Sequence, residues 1–247
     1  FKNTSIIMLT KNDIKLIKNL RTKKHRILNG MFIVEGRKSI IDFIDSGYSL
    51  VKLFSVNEYF NNLNSLKLSY FDLKKISHLK NPDDHLAIFK IPNSKKINEK
   101  KLIIGLEKIN DPGNLGTIIR TCDWFGIKDI ICSQNSVDCY NSKVVQSSMG
   151  SLSRVNVTYL DLKEYLKSKS FTKSATFLDG KSIYESEISL SSGIILFGNE
   201  ANGISSEIEK IIDKKITIPR FNNSKYPESL NLASSVSIIL SEILRNS

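Results

Sequence analysis

Polar residues follow three apolar segments of the chain. Side chains of these types could bind a ligand and stabilise a charge on it. Asn114 and Arg120 follow the run LIIGL, across a stretch with two glycines. Glu200 comes directly after the run GIILFG, and Ser229 and Asn231 lie beyond the run ITI. An arginine can hold a phosphate with its fork of donors, whereas amides and carboxylates orient neighbouring groups. The sequence therefore indicates three candidate site segments, each beyond the end of a predicted strand.

Each of these residues also has a purely structural interpretation. Arg120 could pair with Asp123, three positions further along a helix, and Glu200 could brace the turn that contains it. Ser229 stands where the N-cap of a C-terminal helix is expected, so this segment could be a capped helix that packs on a sheet. On local pattern alone, both interpretations stay open.

Strand and helix patterns alternate along the chain, and they predict an α/β fold. In the C-terminal part, apolar runs predict strands at 102–106, 129–132, 155–159, 175–178, 193–198 and 216–218. Helical spacing predicts helices at 117–125, 141–150 and 162–166 and from Ser229 onward. Parallel strands joined in this way bind ligands at their carboxyl ends. The glycines have neither dinucleotide-binding nor P-loop spacing, which disfavours a flavodoxin-like nucleotide-binding enzyme.

The first part of the chain predicts a smaller α/β domain. Short basic helices are expected within 11–29, and strands at 31–34, 50–55, 67–70 and 85–90. The polar segment before residue 102 has no apolar periodicity, as is typical of a linker. We therefore expect a first domain at 1–95, a linker at 96–101 and a second domain at 102–247.

The positive charge is concentrated in the first part of the chain. The net charge is +11, and 19 of the 36 Lys and Arg residues, but only 9 of the 25 Asp and Glu residues, lie within the first 100 positions. Lys23, Lys24 and Arg26 could lie along a phosphate backbone, where each contact would release counterions. Solvated lysines and a lysine-rich genome are the alternative explanations.

Composition argues against several classes of protein. No apolar run reaches the length of a membrane span, so we expect a soluble, cytoplasmic protein without a membrane partner. The three cysteines (122, 132 and 139) and the three histidines (25, 78 and 85) match no zinc or disulfide framework. We therefore expect no metal site.

Three ordered motifs resemble those of the SpoU, or TrmH, family of RNA ribose 2′-O-methyltransferases. They are Asn114-x-Gly116-x-x-x-Arg120 followed by WFG, then LFGNEANGIS, then IPRF with ESLNLASSVSIILSE. The segment RTKKHRILNGMFIVEGRKSI also resembles the RNA substrate-binding domain that many members carry, and SSMGS at 147–151 resembles a further family element. The resemblance covers the whole chain.

The resemblance implies a C-terminal SPOUT domain whose parallel sheet is threaded into a trefoil knot, behind a smaller N-terminal RNA-binding domain. It also implies a homodimer through the knotted region, and S-adenosylmethionine as the cofactor. By motif position, the cofactor's backbone contacts would come from Gly198, Ile218 and Leu230. These positions lie where strand ends and helix starts leave backbone groups unpaired.

The resemblance also implies roles for the polar residues. It places Arg120 at the reacting oxygen; because a guanidinium is a poor base at neutral pH, we expect Arg120 to hold phosphate and stabilise an alkoxide. Asn114 and Asn231 would fix positions by hydrogen bonding, Glu200 would orient amide or guanidinium groups, and Ser229 would lie near the cofactor or the attacking ribose.

The separate basic domain favours ribosomal RNA as the substrate, by family analogy. The alternatives are a tRNA 2′-O-methyltransferase and a non-catalytic RNA-binding protein that retains the fold. The chain departs from the family pattern in a longer, more polar loop at 220–228, and in Cys122 where alanine is more usual. The long loop leaves open how the cofactor pocket is closed.

Overall fold

The computed structural model describes residues 9–185, 192–221 and 229–245. The described helices are α1 (Lys11–Asn19), α2 (Lys23–Asn29), α3 (Arg37–Asp45), α4 (Tyr70–Ile76), α5 (Pro112–Trp124), α6 (Ser142–Ser147), α7 (Leu162–Lys167), α8 (Ser206–Glu209) and α9 (Leu232–Leu244). The described strands are β1 (Met31–Glu35), β2 (Leu50–Ser55), β3 (Leu66–Lys67), β4 (His85–Lys90), β5 (Leu102–Leu106), β6 (Asp129–Ser133), β7 (Asn156–Leu160), β8 (Lys173–Ser182), β9 (Gly193–Phe197) and β10 (Lys214–Thr217).

The chain divides into two compact units. The first comprises residues up to 93 together with 138–153, and the second comprises 94–137 and 154 onward. The segment 138–153, which contains α6, thus clusters with the first unit, although the sequence assigns it to the second domain. None of the described helices has the length and apolar character needed to cross a bilayer.

The first unit contains a four-stranded sheet in the order β1-β4-β2-β3. Strand β4 is antiparallel to both of its neighbours, and β3 pairs with β2 in parallel. The strand expected at 67–70 ends at Lys67 because Ser69 caps α4, with its hydroxyl oxygen accepting a hydrogen bond from the Asp72 amide at 3.1 Å.

The second unit contains a six-stranded, wholly parallel sheet in the order β10-β8-β9-β5-β6-β7. Strands β5 and β9 lie side by side at its centre, and every residue of both is buried. The chain leaves β5 toward β6 on one side and leaves β9 toward β10 on the other. Ligands of open parallel sheets bind where connections diverge in this way, outside the carboxyl ends of the strands.

Two helices begin at residues that differ from the sequence expectation. Helix α5 begins at Pro112 rather than at Thr117. The Asp111 carboxylate accepts a hydrogen bond from the backbone N–H of Asn114 at 2.7 Å, and proline suits the first helical position. Helix α9 is capped by Asn231 and not by Ser229. Both helices begin with a side-chain cap, from Asp111 in α5 and from Asn231 in α9.

Strand β8 is irregular beside β10. Lys214 and Lys215 pair with Ser174 and Ala175, but the next residue of β10, Ile216, pairs with Lys181. Residues 176–180 of β8 therefore bulge from the ladder. At the end of this bulge the two backbones approach closely, since a Cβ atom on Gly180 would lie 2.5 Å from the Ile216 carbonyl carbon. Only glycine fits this crossing.

Candidate functional site

A chain of side-chain hydrogen bonds joins the three candidate segments of the second unit. The Asn231 amide nitrogen donates to the Asn114 amide oxygen at 3.0 Å. The Asn114 amide nitrogen in turn donates to a Glu200 carboxylate oxygen at 3.1 Å. The start of α5, the turn after β9 and the start of α9 therefore converge, although their residues lie far apart along the chain.

The side-chain amides of Asn114 and Asn231 both have a fixed orientation in this series of hydrogen bonds. The Asn231 side-chain oxygen accepts from the Ser234 backbone amide at 3.2 Å as the cap of α9. A backbone N–H can only donate and a carboxylate can only accept, so the direction of every bond between Ser234 and Glu200 is determined. The arrangement positions three polar side chains without any freedom to exchange donor and acceptor.

Two further residues, Glu107 and Asn199, hold the ends of β5 and β9 together, and neither was among the predicted site residues. Glu107 is buried, and its carboxylate accepts from the Ser205 amide at 2.9 Å. Asn199 donates to the Lys108 carbonyl at 2.7 Å. Its oxygen accepts from two amides of its own turn. A charged residue directly after the apolar run LIIGL was the available signal for Glu107.

A cavity of about 580 Å³ lies at the carboxyl ends of β9 and β10, beside the middle of β8. Its described lining consists of Thr176, Phe177, Leu178, Asp179, Phe197, Gly198, Asn199, Glu200, Ala201, Asn202, Gly203, Ile204, Thr217, Ile218, Ser229, Leu230, Leu232, Ser235 and Ile239. The predicted cofactor-contacting residues Gly198, Ile218 and Leu230 all lie in this lining, as do Glu200 and Ser229. This volume suits a ligand the size of a nucleoside derivative.

A tight turn forms one wall of the cavity. Asn199 and Gly203 exchange backbone hydrogen bonds at 3.0 and 2.9 Å. A Cβ atom on Gly198 would lie 2.2 Å from the Gly203 carbonyl carbon, so the turn can close only over a glycine. Glu200 therefore lies in a tight turn, and residues 198–204 line this side of the cavity.

Arg120 is exposed on α5 and is not among the described residues that line the cavity. Its alternative partner Asp123 accepts instead from Arg154 at 2.8 Å and pairs with Lys128 at 3.5 Å. Arg120 lies six positions beyond Asn114, which corresponds to about 9 Å along the helix. The structure thus joins Asn114 to both Glu200 and Asn231 by hydrogen bonds, but within the described part of the chain no hydrogen bond joins Arg120 to any of the three.

The buried thiols of the second unit do not provide a nucleophile. Burial raises the pKa of the Cys122 thiol, and it raises the pKa of Cys132 to about 12. Among the described residues, no group of His, Cys, Asp and Glu side chains could hold a metal ion.

In the first unit, the expectation for Arg26 is wrong. Arg26 is only 2% exposed, and its guanidinium donates to the Asp138 carboxylate at 2.6 and 2.8 Å. It also donates to the carbonyls of Leu20 and Arg21. A side chain satisfied in this way cannot contact a phosphate backbone. Lys23 and Lys24, by contrast, are exposed on α2.

Together, the fold and the site define an α/β protein that binds a nucleoside-sized ligand where the strand connections diverge. A family model described as SpoU rRNA Methylase family matches residues 101–241. Another, described as MRM3-like substrate binding domain, matches residues 11–87. This chain belongs to the SpoU rRNA Methylase family.

Individual relatives cover nearly the whole chain. The 23S rRNA (guanosine(2553)-2′-O)-methyltransferase RlmP of Bacillus subtilis is 26% identical over 237 residues, which cover 92% of this chain and 94% of that protein. The solved structure of a TrmH-family protein from Porphyromonas gingivalis has 33% sequence identity and a TM-score of 0.89, over 98% of this chain and all of that one. An AdoMet-bound rRNA methyltransferase from Sinorhizobium meliloti has 27% identity and a TM-score of 0.85, over 97% of each chain.

These similarities confirm the predicted family and the predicted α/β fold, with a C-terminal parallel sheet and a smaller N-terminal domain. They also confirm the predicted class of activity, an RNA methyltransferase that uses S-adenosylmethionine.

The cavity has the chemistry that S-adenosylmethionine requires. Apolar side chains such as Leu178, Ile218 and Leu230 can cover an adenine ring, and the turn at 198–203 lines one wall of the cavity. Asp179 and Glu200 supply negative charge for a cationic ligand. The residues present therefore fit this cofactor.

Proposed function

We propose that the protein transfers a methyl group from S-adenosylmethionine to a ribose 2′-hydroxyl of ribosomal RNA. The observation that carries the proposal is the hydrogen-bonded chain from Asn231 through Asn114 to Glu200, at a cavity with the cofactor's chemistry. The cofactor supplies an electrophilic methyl group on a sulfonium. The protein must therefore align an alcohol oxygen with that methyl group and assist loss of the alcohol proton.

We propose that the hydrogen bonds from Asn231 through Asn114 to Glu200 position the loops around the cofactor. Gly198, Ile218 and Leu230 hold the cofactor through their backbones, and Ser229 lies beside it at the entrance to α9. Asn114 and Asn231 fix the loops relative to one another, with Glu200 as the terminal acceptor. An offset of about 1 Å in such an arrangement can cost roughly a hundredfold in rate, so a chain of fixed donors and acceptors serves the reaction directly.

Arg120 is proposed to engage the RNA. Its guanidinium is exposed on α5, outside the described lining of the acidic cavity, where an RNA phosphate can reach it. A bidentate contact to phosphate would hold the target nucleotide, and the same charge would stabilise the developing alkoxide. The alcohol proton leaves to a phosphate oxygen or to water, because a guanidinium stays protonated at neutral pH.

The N-terminal unit is proposed to bind the same RNA through Lys23 and Lys24. Its match to a substrate-binding family and the basic composition of the first 100 residues support this role. The full name of the relative RlmP specifies a guanosine of 23S rRNA as its target. We therefore propose 23S rRNA as the first substrate to test.

We further propose a trefoil knot in the C-terminal sheet and a homodimer of the second unit. The close crossing of Gly180 and Ile216 is compatible with threading of the chain beside β8. Trp124 supports association, because it is 85% exposed on α5, and aromatic side chains of this size are enriched in interfaces.

The experiment that tests the proposed function is a map of 2′-O-methyl sites in RNA from cells with and without the protein. We expect one ribose of 23S rRNA to lose its methyl group in the deletion and to regain it when the protein is restored. Restoration with Arg120→Ala should leave the site unmethylated. Loss of a tRNA methyl group would identify tRNA as the substrate, and unchanged maps would favour a non-catalytic RNA-binding protein.

A further inference from the structure

The charged side chains in the described lining of the cavity are all negative. Asp179 and Glu200 are acidic, and the described part of the lining contains no Lys, Arg or His. The protein as a whole has 36 Lys and Arg residues against 25 Asp and Glu residues. A negative cavity in so basic a protein is therefore a local feature, and general composition does not explain it.

The two carboxylates differ in what they contact. Glu200 accepts from Asn114 and belongs to the positioning chain. Asp179 lies in the bulge of β8 at 176–180, where the close approach of Gly180 to Ile216 constrains the backbone. Asp179 is exposed, so its carboxylate can face a ligand at the mouth of the cavity.

A nearby cation neutralises Asp179 only in part. The negative charge of Asp179 contributes to the raised pKa of Lys215. The largest cause of that raised pKa, however, is the hydrogen bond from Lys215 to Glu209. Lys215 also lies over the Phe177 ring, 4.6 Å from the ring centroid. Lys215 forms its ion pair with Glu209. The negative charge of Asp179 can therefore still attract a cationic ligand.

The substrate and product forms of the cofactor differ by one positive charge. S-adenosylmethionine carries a sulfonium, and S-adenosylhomocysteine carries a neutral thioether in its place. A carboxylate attracts the first and has little net effect on the second. Negative charge in the cavity therefore favours the methyl donor over the spent cofactor.

We propose that Asp179 is a specificity-determining residue that, with Glu200, makes the cavity prefer the sulfonium over the thioether product. This inference rests on the proposed function. Loss of the methyl group removes the charge that the carboxylates attract, so each turnover weakens the binding of its own product. Product release and exchange for fresh cofactor follow from the same electrostatic difference.

Isothermal titration of the full-length protein tests this directly. The probes are S-adenosylmethionine, sinefungin, which carries an ammonium in place of the sulfonium, and S-adenosylhomocysteine. We expect the native protein to bind both cationic probes more tightly than the thioether. Asp179→Asn should weaken both cations roughly threefold to tenfold, as expected for the loss of one solvent-screened charge, and should leave the thioether nearly unchanged.

Two control variants separate charge from structure. Asp179→Glu keeps the charge and should restore much of the preference. Glu164→Gln removes one exposed carboxylate of the same unit outside the described cavity lining, and it should change none of the three affinities. Added salt should reduce the preference of the native protein more than that of Asp179→Asn.

The outcomes distinguish this inference from the function on which it rests. Equal weakening of all three probes by Asp179→Asn, or a native protein that binds the thioether as tightly as the cations, would overturn the role of Asp179 and leave the methyltransferase intact. Failure of the native protein to bind any of the three probes would overturn the proposed function itself.

Discussion

Asn114 and Asn231, which are 117 positions apart in the sequence, share a hydrogen bond of 3.0 Å between their side chains. Each residue also has a second task. Asn231 caps α9, and Asn114 donates to Glu200. The bond therefore links the entrance of α9 to the first turn of α5, and its loss should affect the site more than the fold.

Asn231→Asp separates these two tasks. Aspartate caps a helix about as well as asparagine, so thermal stability should stay near that of the native protein, whereas Asn231→Ala should lose about 1 kcal/mol. Aspartate cannot donate to Asn114, so both variants should lose most methyl transfer. The measurements are thermal unfolding and turnover of labelled cofactor. Native turnover in Asn231→Asp would show that the bond between the two amides is dispensable.

Arg120→Ala should lower methyl transfer to RNA by about a hundredfold to a thousandfold, the usual effect of removing one preorganised donor from a developing anion. Its affinity for the cofactor should be unchanged, because Arg120 lies outside the described cavity lining. Arg245→Ala is the matched control, since Arg245 is an exposed arginine that forms an ion pair with Glu242, three positions away. A comparable loss of rate in both variants would argue against a specific role for Arg120.

The two basic residues of α2 should behave differently. Arg26→Ala leaves Asp138 without its partner in a largely buried site, and we expect a loss of about 3–5 kcal/mol in the free energy of unfolding. Lys24→Ala should leave stability unchanged and reduce the salt dependence of RNA binding, with the slope of log K against log salt falling by about 0.7–0.9. An Arg26→Ala protein of native stability would contradict the structural assignment of Arg26.

Stability should depend on pH through His78 in the first unit. Burial lowers the pKa of His78 from 6.5 to about 4, so between these values the unfolded chain binds a proton that the folded chain does not. The free energy of unfolding should therefore fall as the pH falls through this window. Burial also raises the pKa of Glu35, which acts in the opposite direction, since its contribution weakens as the pH rises.

His78→Gln isolates the histidine, because Glu35 is present in both proteins. Urea unfolding across the pH window should show a smaller loss of stability toward acid pH in the variant than in the native protein. The glutamine amide can still donate to the Ile17 carbonyl, which contacts the His78 ring at 3.0 Å. Parallel pH profiles in the two proteins would exclude His78 as the source.

Trp124→Glu tests the proposed homodimer. A charge at an interface core is strongly disfavoured, so sedimentation equilibrium should show the native protein as a dimer and the variant shifted toward monomer. Tyr184→Glu is a control at another exposed aromatic of the second unit and should remain dimeric. A native protein that sediments as a monomer would remove the proposal.

Much of the fold could be predicted from the sequence because buried strands leave a strong local signal. Strand β5 was expected at 102–106 and β4 at 85–90, and both have these bounds. The start of α5 was missed because asparagine and two glycines in its first turns look like a loop, whereas the Asp111 cap and Pro112 determine where the helix begins.

The parts that could not be predicted depend on contacts between distant positions. Nothing near Arg26 indicates that it is buried, because its partner Asp138 is 112 positions away. The bulge that exposes Asp179 to the cavity arises from the pairing of β8 with β10, which local pattern does not encode. By contrast, the three motifs were sufficient to indicate Asn114, Glu200 and Asn231, because each lies at a strand-to-helix junction.

Transfer of a labelled methyl group from S-adenosylmethionine to ribosomal RNA, from cells that lack the protein, tests the central claim most directly. After nuclease digestion, the account predicts that the label appears in one 2′-O-methylated nucleotide of 23S rRNA and disappears with Asn114→Ala. Label on a base, or no transfer by a protein that binds the cofactor, would contradict it.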